Sequence, residues 1–425
     1  MTLAATFLGG AKSRLLPLSI PFRFFAAAAG FHVLMWVALL VGASELTSFR
    51  GGLGPVLAAV HLLTLGVLTA TAMGAAVQLL PVATKRSLPA IWPVKLLFWL
   101  LLAGLLPLIG GMIVSSTKLL IAGSLVAFAA LALFAAVLTE NLRRAGGLQI
   151  VAAYGWAALV SLVVVAAIGV TLAVNYERGF LPDHGAAALV HLILGGFGFM
   201  GLLAVGLSHV LIPMFTLSAA PDKRWALLGF ALAVVAISLA AAGPLVGSRP
   251  TLTAGTLVGL AAVGVHLALM RRSLATGMRK RLGLSFLLVR IAWVMLPMTL
   301  VVGLAAAYGA AGPNGATLFG FLLFIGWLLT FLLGILQRIV PFLASMHAVR
   351  PQGGAPPALS ELAAAWPLKL HAACHLGALA VVGTSIVMES LLLARVGAAA
   401  GLVGALAFAW FTADVLRRVL RTRRS

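Results

Sequence analysis

Nine histidines are the residues of this chain whose type and spacing best suit chemistry: His32, His61, His184, His191, His209, His266, His347, His371 and His375. Neutral imidazole is the commonest metal ligand, and a titratable residue inside a membrane span is a functional candidate by default. His61 precedes Pro81 by 20 residues and His191 precedes Pro213 by 22. At 1.5 Å per helical residue their depths differ by about 3 Å. Two imidazoles at one depth on different helices could ligate a haem iron axially, with apolar walls holding the macrocycle. His32, midway along an earlier apolar run, could reach the same layer. His371 and His375 form a second group, spaced i, i+4 on one helix face, with His347 ending the preceding run. That spacing suits a metal ion. His209 lies about 27 Å along its helix from His191 and cannot share its metal. His184, in the polar stretch Tyr176 to His184, is expected to be solvated, and His266, beside Arg271, to be interfacial. The competing reading of every imidazole is that it bonds a backbone carbonyl or lines a polar crevice.

Positioning these residues is the work of an unusually apolar chain. Of 425 residues 63% are hydrophobic and 9% charged, with a mean hydropathy of +1.16. A soluble domain carries roughly 25% charged residues, so this composition indicates an all-α integral membrane protein. It excludes a secreted disulfide scaffold, a soluble enzyme and a nucleic-acid-binding domain. The lone Cys374 cannot form an internal disulfide. Spans of about 20 apolar residues are expected at 20–44, 54–81, 92–114, 118–140, 149–175, 186–217, 225–246, 251–270, 283–308, 316–344, 366–388 and 391–415. The break between the third and fourth rests on the turn at 115–118. Continuous apolar runs argue against strands, which would alternate.

The net charge of +21 is a topology signal. Basic residues gather at the N-terminus (Lys12, Arg14) and at the even-numbered exits: Lys85-Arg86, Arg143-Arg144, Lys223-Arg224, Arg271 to Arg281, Arg350 and Arg417 to Arg424. The opposite face keeps Arg50, Lys118, Arg178, Arg249 and Arg395, so 24 of the 29 Lys and Arg fall on one side. The positive-inside rule then sets both termini in the cytoplasm, of a bacterial inner membrane, with anionic lipid head groups as the partners of the basic face. Nucleic acid is not needed to explain the charge. The first apolar run is too long for a cleavable signal and reads as the first span.

A threefold repeat runs through the chain. Gly66, Gly74 and Pro81 share their spacing with Gly198, Gly206 and Pro213, and with Gly326, Gly334 and Pro341. The prolines are 132 and 128 residues apart, four helices each time. The expected organisation is a single membrane domain of three four-helix arcs with pseudo-threefold symmetry, the repeats covering about 20–140, 149–272 and 283–415. Helices two, six and ten form its core. Glycines eight apart lie on roughly one face, where Gly66 and Gly198 would let a neighbouring helix or a flat macrocycle approach. The prolines free carbonyls, which Gln78 and Gln337 are placed to bond. Arg290 and Arg338 lie within snorkelling reach of the inner face, and Asp414 can pair with Arg417 or Arg418.

Twelve spans in three arcs, with histidine on helices two and six, resemble the catalytic subunit of the haem-copper oxidases. The segments Val60-His61 through Pro81-Val82-Ala83 and Pro21-Phe22-Arg23-Phe24-Phe25 resemble the NnrS-like membrane haem proteins, which are associated with nitric oxide metabolism. The resemblance implies haem b, with His61 matching the helix-two ligand of a low-spin haem. His191 would fall on the helix that carries the first copper ligand of an oxidase, which is the whole case for copper. Departures are plain: Trp225 to Val246 has no histidine where an oxidase has an adjacent pair, and helix ten lacks the two that hold both haems. The oxygen-reducing centre cannot be assembled as that family assembles it, and no His-x-His-Glu-Met stretch of the NnrS type occurs. The expectation is a membrane haem protein in electron transfer, redox sensing or nitric oxide handling, and not a proton-pumping terminal oxidase. Its redox partner is not readable. The alternatives are a cofactor-free permease, and a metal-handling protein using His371, His375 and His347. No Ser-His-Asp set, HExxH motif or phosphate-binding glycine loop is present.

Overall fold

The computed structural model describes residues 15–83, 90–143, 148–347 and 359–422. Lys12, Arg14, Lys85, Arg86, Arg144, Arg350, Arg423 and Arg424, which contribute to the charge asymmetry, lie outside them. The described residues are helical with short connections and no strand, and twelve helices are long and apolar enough to cross a membrane. They are α1 (Ser19–Val41), α2 (55–83), α3 (Trp92–Ile113), α4 (Thr117–Arg143), α5 (Gln149–Arg178), α6 (His184–Thr216), α7 (Lys223–Leu245), α8 (Arg249–Thr276), α9 (Gly283–Ala307), α10 (Gly315–His347), α11 (Ala365–Met388) and α12 (Leu391–Thr422). Each agrees with an expected span to within several residues. The α3–α4 break is real: Ser115 turns the chain in the left-handed conformation, φ +55°.

Helix ends follow ordinary capping chemistry. Asp183 accepts from the Ala186 N–H at 2.8 Å to start α6, Asp222 accepts from the Arg224 N–H at 2.8 Å to start α7, and Ser248 caps α8. Gly179, φ +59°, closes α5.

Contacts divide the chain into two compact units. One is built on Ala76–Leu282 and Leu296–Ala310, the other on Leu16–Ala75, Gly283–Met295 and Ala311–Ser425. In the first, α3 packs on α4 and α7 on α8 as hairpins; in the second, α11 packs on α12. Small residues make these hairpins. A side chain on Gly104, Gly111 or Gly123 would run into the backbone across the α3–α4 contact, and one on Gly243 or Gly255 would do so across α7–α8. Lipid tails are as apolar as leucine, so close backbone packing must supply the attraction.

The second helix of each repeat shares two further features. Each contains an eight-residue π-helical segment: Leu62–Thr69 in α2, Leu194–Gly201 in α6 and Leu322–Leu329 in α10. Their starts are 132 and 128 residues apart, the same spacing as the prolines. Each also presents its paired glycines to the helix before it. Phe31 and Phe24 of α1 fill Gly66 and Gly74, Ser161 and Tyr154 of α5 fill Gly198 and Gly206, and Met295 and Val289 of α9 lie against Gly326 and Gly334. In the second unit the π segments of α2 and α10 touch. These two are the most buried spans, at 67% and 78% of their apolar windows, whereas α6 at 44% is no more enclosed than α3 or α4. The outer half of α6 is rich in glycine and half-buried residues, so it does not share the enclosure expected of a core helix.

The α3–α4 contact gives a direct test. Gly104→Leu should lower the unfolding free energy in mixed detergent micelles by about 1–3 kcal/mol, from overpacking against α4. Gly110→Leu, on the same helix with nothing within 4 Å of its Cβ position, should change it by less than about 0.5 kcal/mol.

Candidate functional site

The two expected haem ligands share one local geometry. His61 ends the first α-helical segment of α2, directly before its π segment, and its Nδ1 lies 3.0 Å from the Leu57 carbonyl oxygen one turn back. His191 lies on α6, three residues before its π segment, and its Nδ1 lies 3.0 Å from the Val165 carbonyl oxygen on α5. A carbonyl only accepts, so both imidazoles carry their proton on Nδ1 and keep the lone pair on Nε2. Gly169 makes room for His191: a Cβ there would lie 3.0 Å from the ring's Cε1. Both histidines are half-buried. Gly66 and Gly198, expected to admit a macrocycle, are instead filled by Phe31 and Ser161. Their missing side chains serve helix packing, the other role expected of them.

His32, His371 and His375 assemble in the second unit, each at most 1% exposed. The His32 ring meets His371 edge-on at 6.2 Å between centroids, and His375 stacks on His371 at 5.6 Å. Phe408 closes over both His32 and His371, at 6.2 and 5.0 Å. The Trp36 indole donates to His32 Nε2 at 3.2 Å, and His371 Nδ1 lies 3.1 Å from the Gly404 carbonyl oxygen. His375 Nε2 lies 2.8 Å from the Thr330 hydroxyl, which also donates to the Ile325 carbonyl inside the α10 π segment at 2.7 Å. Sequence spacing paired His371 with His375 but gave His32 to the other layer; helix packing brings α1 against α12, beside α11.

His347 does not join this group. Its Nδ1 lies 2.7 Å from the Leu343 carbonyl oxygen and its Nε2 2.9 Å from that of Leu16, so both nitrogens face backbone carbonyls and neither is turned to a metal shared with His371. The expectation of His347 as a ligand is corrected by that pairing.

A third group was not foreseen. In the first unit His209 and His266 meet at 90° with ring centroids 5.8 Å apart, and Tyr154 lies 5.6 Å from His209. His266 is 5% exposed and lies in the α6–α8 contact. Both ring nitrogens of His209 lack a hydrogen-bond partner among the described residues. The same is true of both side-chain polar atoms of Gln78 and of Gln337 Nε2, so the Gln78 amide bonds no proline-freed carbonyl and the Gln337 N–H group donates to none.

Other polar residues sort between packing and surface. His184 is tied by Asn175 at 2.9 Å and rests on Tyr176, so it knots the α5–α6 connection where solvation was expected. Arg338 does not simply snorkel: its Nε donates to Ser285 at 2.8 Å and its guanidinium lies 5.1 Å from the Phe286 ring. Asp414 pairs with Arg418 at 2.8 Å as expected. Among the described residues no set of three or more His, Cys, Asp or Glu side chains is arranged to hold a metal ion.

Thr330 joins the histidine group to the π segment, which makes its hydroxyl testable. Thr330→Val keeps the shape and strands His375 Nε2 and the Ile325 carbonyl, and should lower the thermal midpoint through a loss of about 1–3 kcal/mol. Thr330→Ser should recover most of it.

No protein-family model matches the sequence, and no curated protein resembles it significantly.

Proposed function

We propose that the chain is a multi-pass membrane haem protein acting in electron transfer, redox sensing or nitric oxide handling, with His61 as an axial ligand. The observation that carries the reading is that His61 and His191 each place Nδ1 3.0 Å from a backbone carbonyl oxygen, which sets the ring N–H on Nδ1 in both. That second bond fixes the tautomer and ring direction and raises ligand basicity, as it does for metal-bound histidines generally. The donor chemistry of such an imidazole fits a haem iron. A bound haem would supply one-electron redox chemistry.

The choice of second ligand follows from hydrogen bonding. His32 accepts from Trp36 on Nε2, so its Nδ1 carries the proton and no lone pair remains for iron. His191 keeps the Nδ1–H tautomer that a ligating imidazole has, and stays a candidate on that ground. Chain groups do the positioning: Leu57 and Val165 orient the rings, and Gly169 gives His191 its space. The apolar composition of both helices keeps bulk water from the ring edges. The three-arc arrangement, cytoplasmic termini and an inner-membrane location belong to the same proposal, supported by the repeat spacing and the one-sided Lys and Arg.

The deciding measurement is the optical spectrum of detergent-purified protein, oxidised and then reduced with dithionite, from cells supplied with ample haem. A Soret band with sharp α and β bands on reduction is expected. His61→Ala should abolish the haem absorbance. Gly169→Val, which crowds the His191 ring, should lower haem content several-fold without unfolding the protein. A featureless spectrum overturns the reading and favours a cofactor-free permease.

A further inference from the structure

The hydrogen bonds around His32 and His371 determine where each proton sits. An indole N–H can only donate, so His32 Nε2 must be the bare nitrogen and His32 Nδ1 must carry the hydrogen. A carbonyl can only accept, so His371 carries its hydrogen on Nδ1, toward Gly404, and Nε2 is bare. The two remaining nitrogens are thus one donor, His32 Nδ1–H, and one acceptor, His371 Nε2. Both are fully buried and neither has a hydrogen-bond partner among the described residues. A buried polar group left in this state costs about 1–3 kcal/mol. Two such groups, of opposite kind, belong to rings in contact.

The ring spacing says how they are satisfied. A direct N–H···N bond would bring the centroids to about 5 Å, whereas one oxygen bridged by two hydrogen bonds of about 2.9 Å needs more. The observed separation is 6.2 Å, with the rings at 77°. We infer that His32 Nδ1–H and His371 Nε2 form a binding site for a single neutral hydroxyl group, which accepts from His32 and donates to His371. Water or the hydroxyl of a small apolar alcohol or phenol has this chemistry.

Other occupants fail on the same grounds. A metal cation would face the His32 N–H hydrogen. An anion would face the His371 lone pair. Nor does the pair make a proton wire: His32 could give up its Nδ1 proton only by being reprotonated on Nε2, where the Trp36 indole donates and holds its own proton. The site binds; it does not conduct. Phe408 packs on both rings and His375 stacks on His371, and a side chain on Gly401 would collide with the Trp36 ring, which fits that indole being held in place.

The inference is independent of haem binding, and its test uses the full chain in lipid bilayers. Protein labelled with nitrogen-15 histidine is examined by magic-angle-spinning NMR, with polarisation transferred from water protons. His32 is expected bare at Nε2 and protonated at Nδ1, and His371 bare at Nε2. Transfer from water to both rings identifies water as the occupant; transfer from the protons of a co-purifying organic molecule identifies its hydroxyl. Trp36→Phe should release His32 into a mixture of both tautomers, and added Cu(I) should leave both resonances in place. The inference is overturned by a proton on His32 Nε2 in the parent protein, by an Nδ1–H in contact with neither water nor ligand, or by loss of both resonances on adding Cu(I).

Discussion

A backbone amide that enters hydrocarbon must find its hydrogen-bond partner within the protein, because lipid offers none. That constraint reduces this chain to helices, and it also limits how the helices can be irregular. The π segments of α2, α6 and α10 are the tolerated form of irregularity: they reroute backbone bonds without leaving a group open. Thr69 and Thr330 take part, each donating its hydroxyl to a carbonyl five residues back. His61 sits directly before one such segment and His375 bonds the threonine after another. The irregular backbone and the chemically capable side chains therefore occur together.

Close packing is the second consequence. With no hydrophobic drive between helices inside lipid, backbone approach must supply the attraction. Glycine is placed accordingly, at hairpin contacts and along the seams where Phe31, Ser161 and Tyr154 enter. The same close approach orders the imidazoles. Gly169 admits His191, and the carbonyl of Gly404 reaches His371 because α11 and α12 lie so near each other.

Among the histidines, tautomer matters more than number. A bond to a carbonyl puts the ring hydrogen on Nδ1, as in His61 and His191. In His32 the hydrogen is likewise on Nδ1, but the Nε2 lone pair is engaged by the Trp36 indole. His347, with both nitrogens on carbonyls, is a structural tie between α10 and Leu16. Chemically identical side chains thus divide among three roles through partners that are mostly main-chain atoms.

The residue order alone determined the twelve spans and the regular recurrence of Gly, Gly and Pro, because each is a property of a single helix. It also pointed to the i, i+4 pair His371 and His375, whose rings stack. Only the tertiary structure decided that His32 meets His371, that His209 meets His266, that Phe31 and Ser161 fill the spaces at Gly66 and Gly198, and that His347 is engaged elsewhere. Those outcomes depend on which helix faces turn toward each other. In a chain apolar on every side no amphipathic stripe announces that choice, so close packing and hydrogen-bond pairing across helices make it.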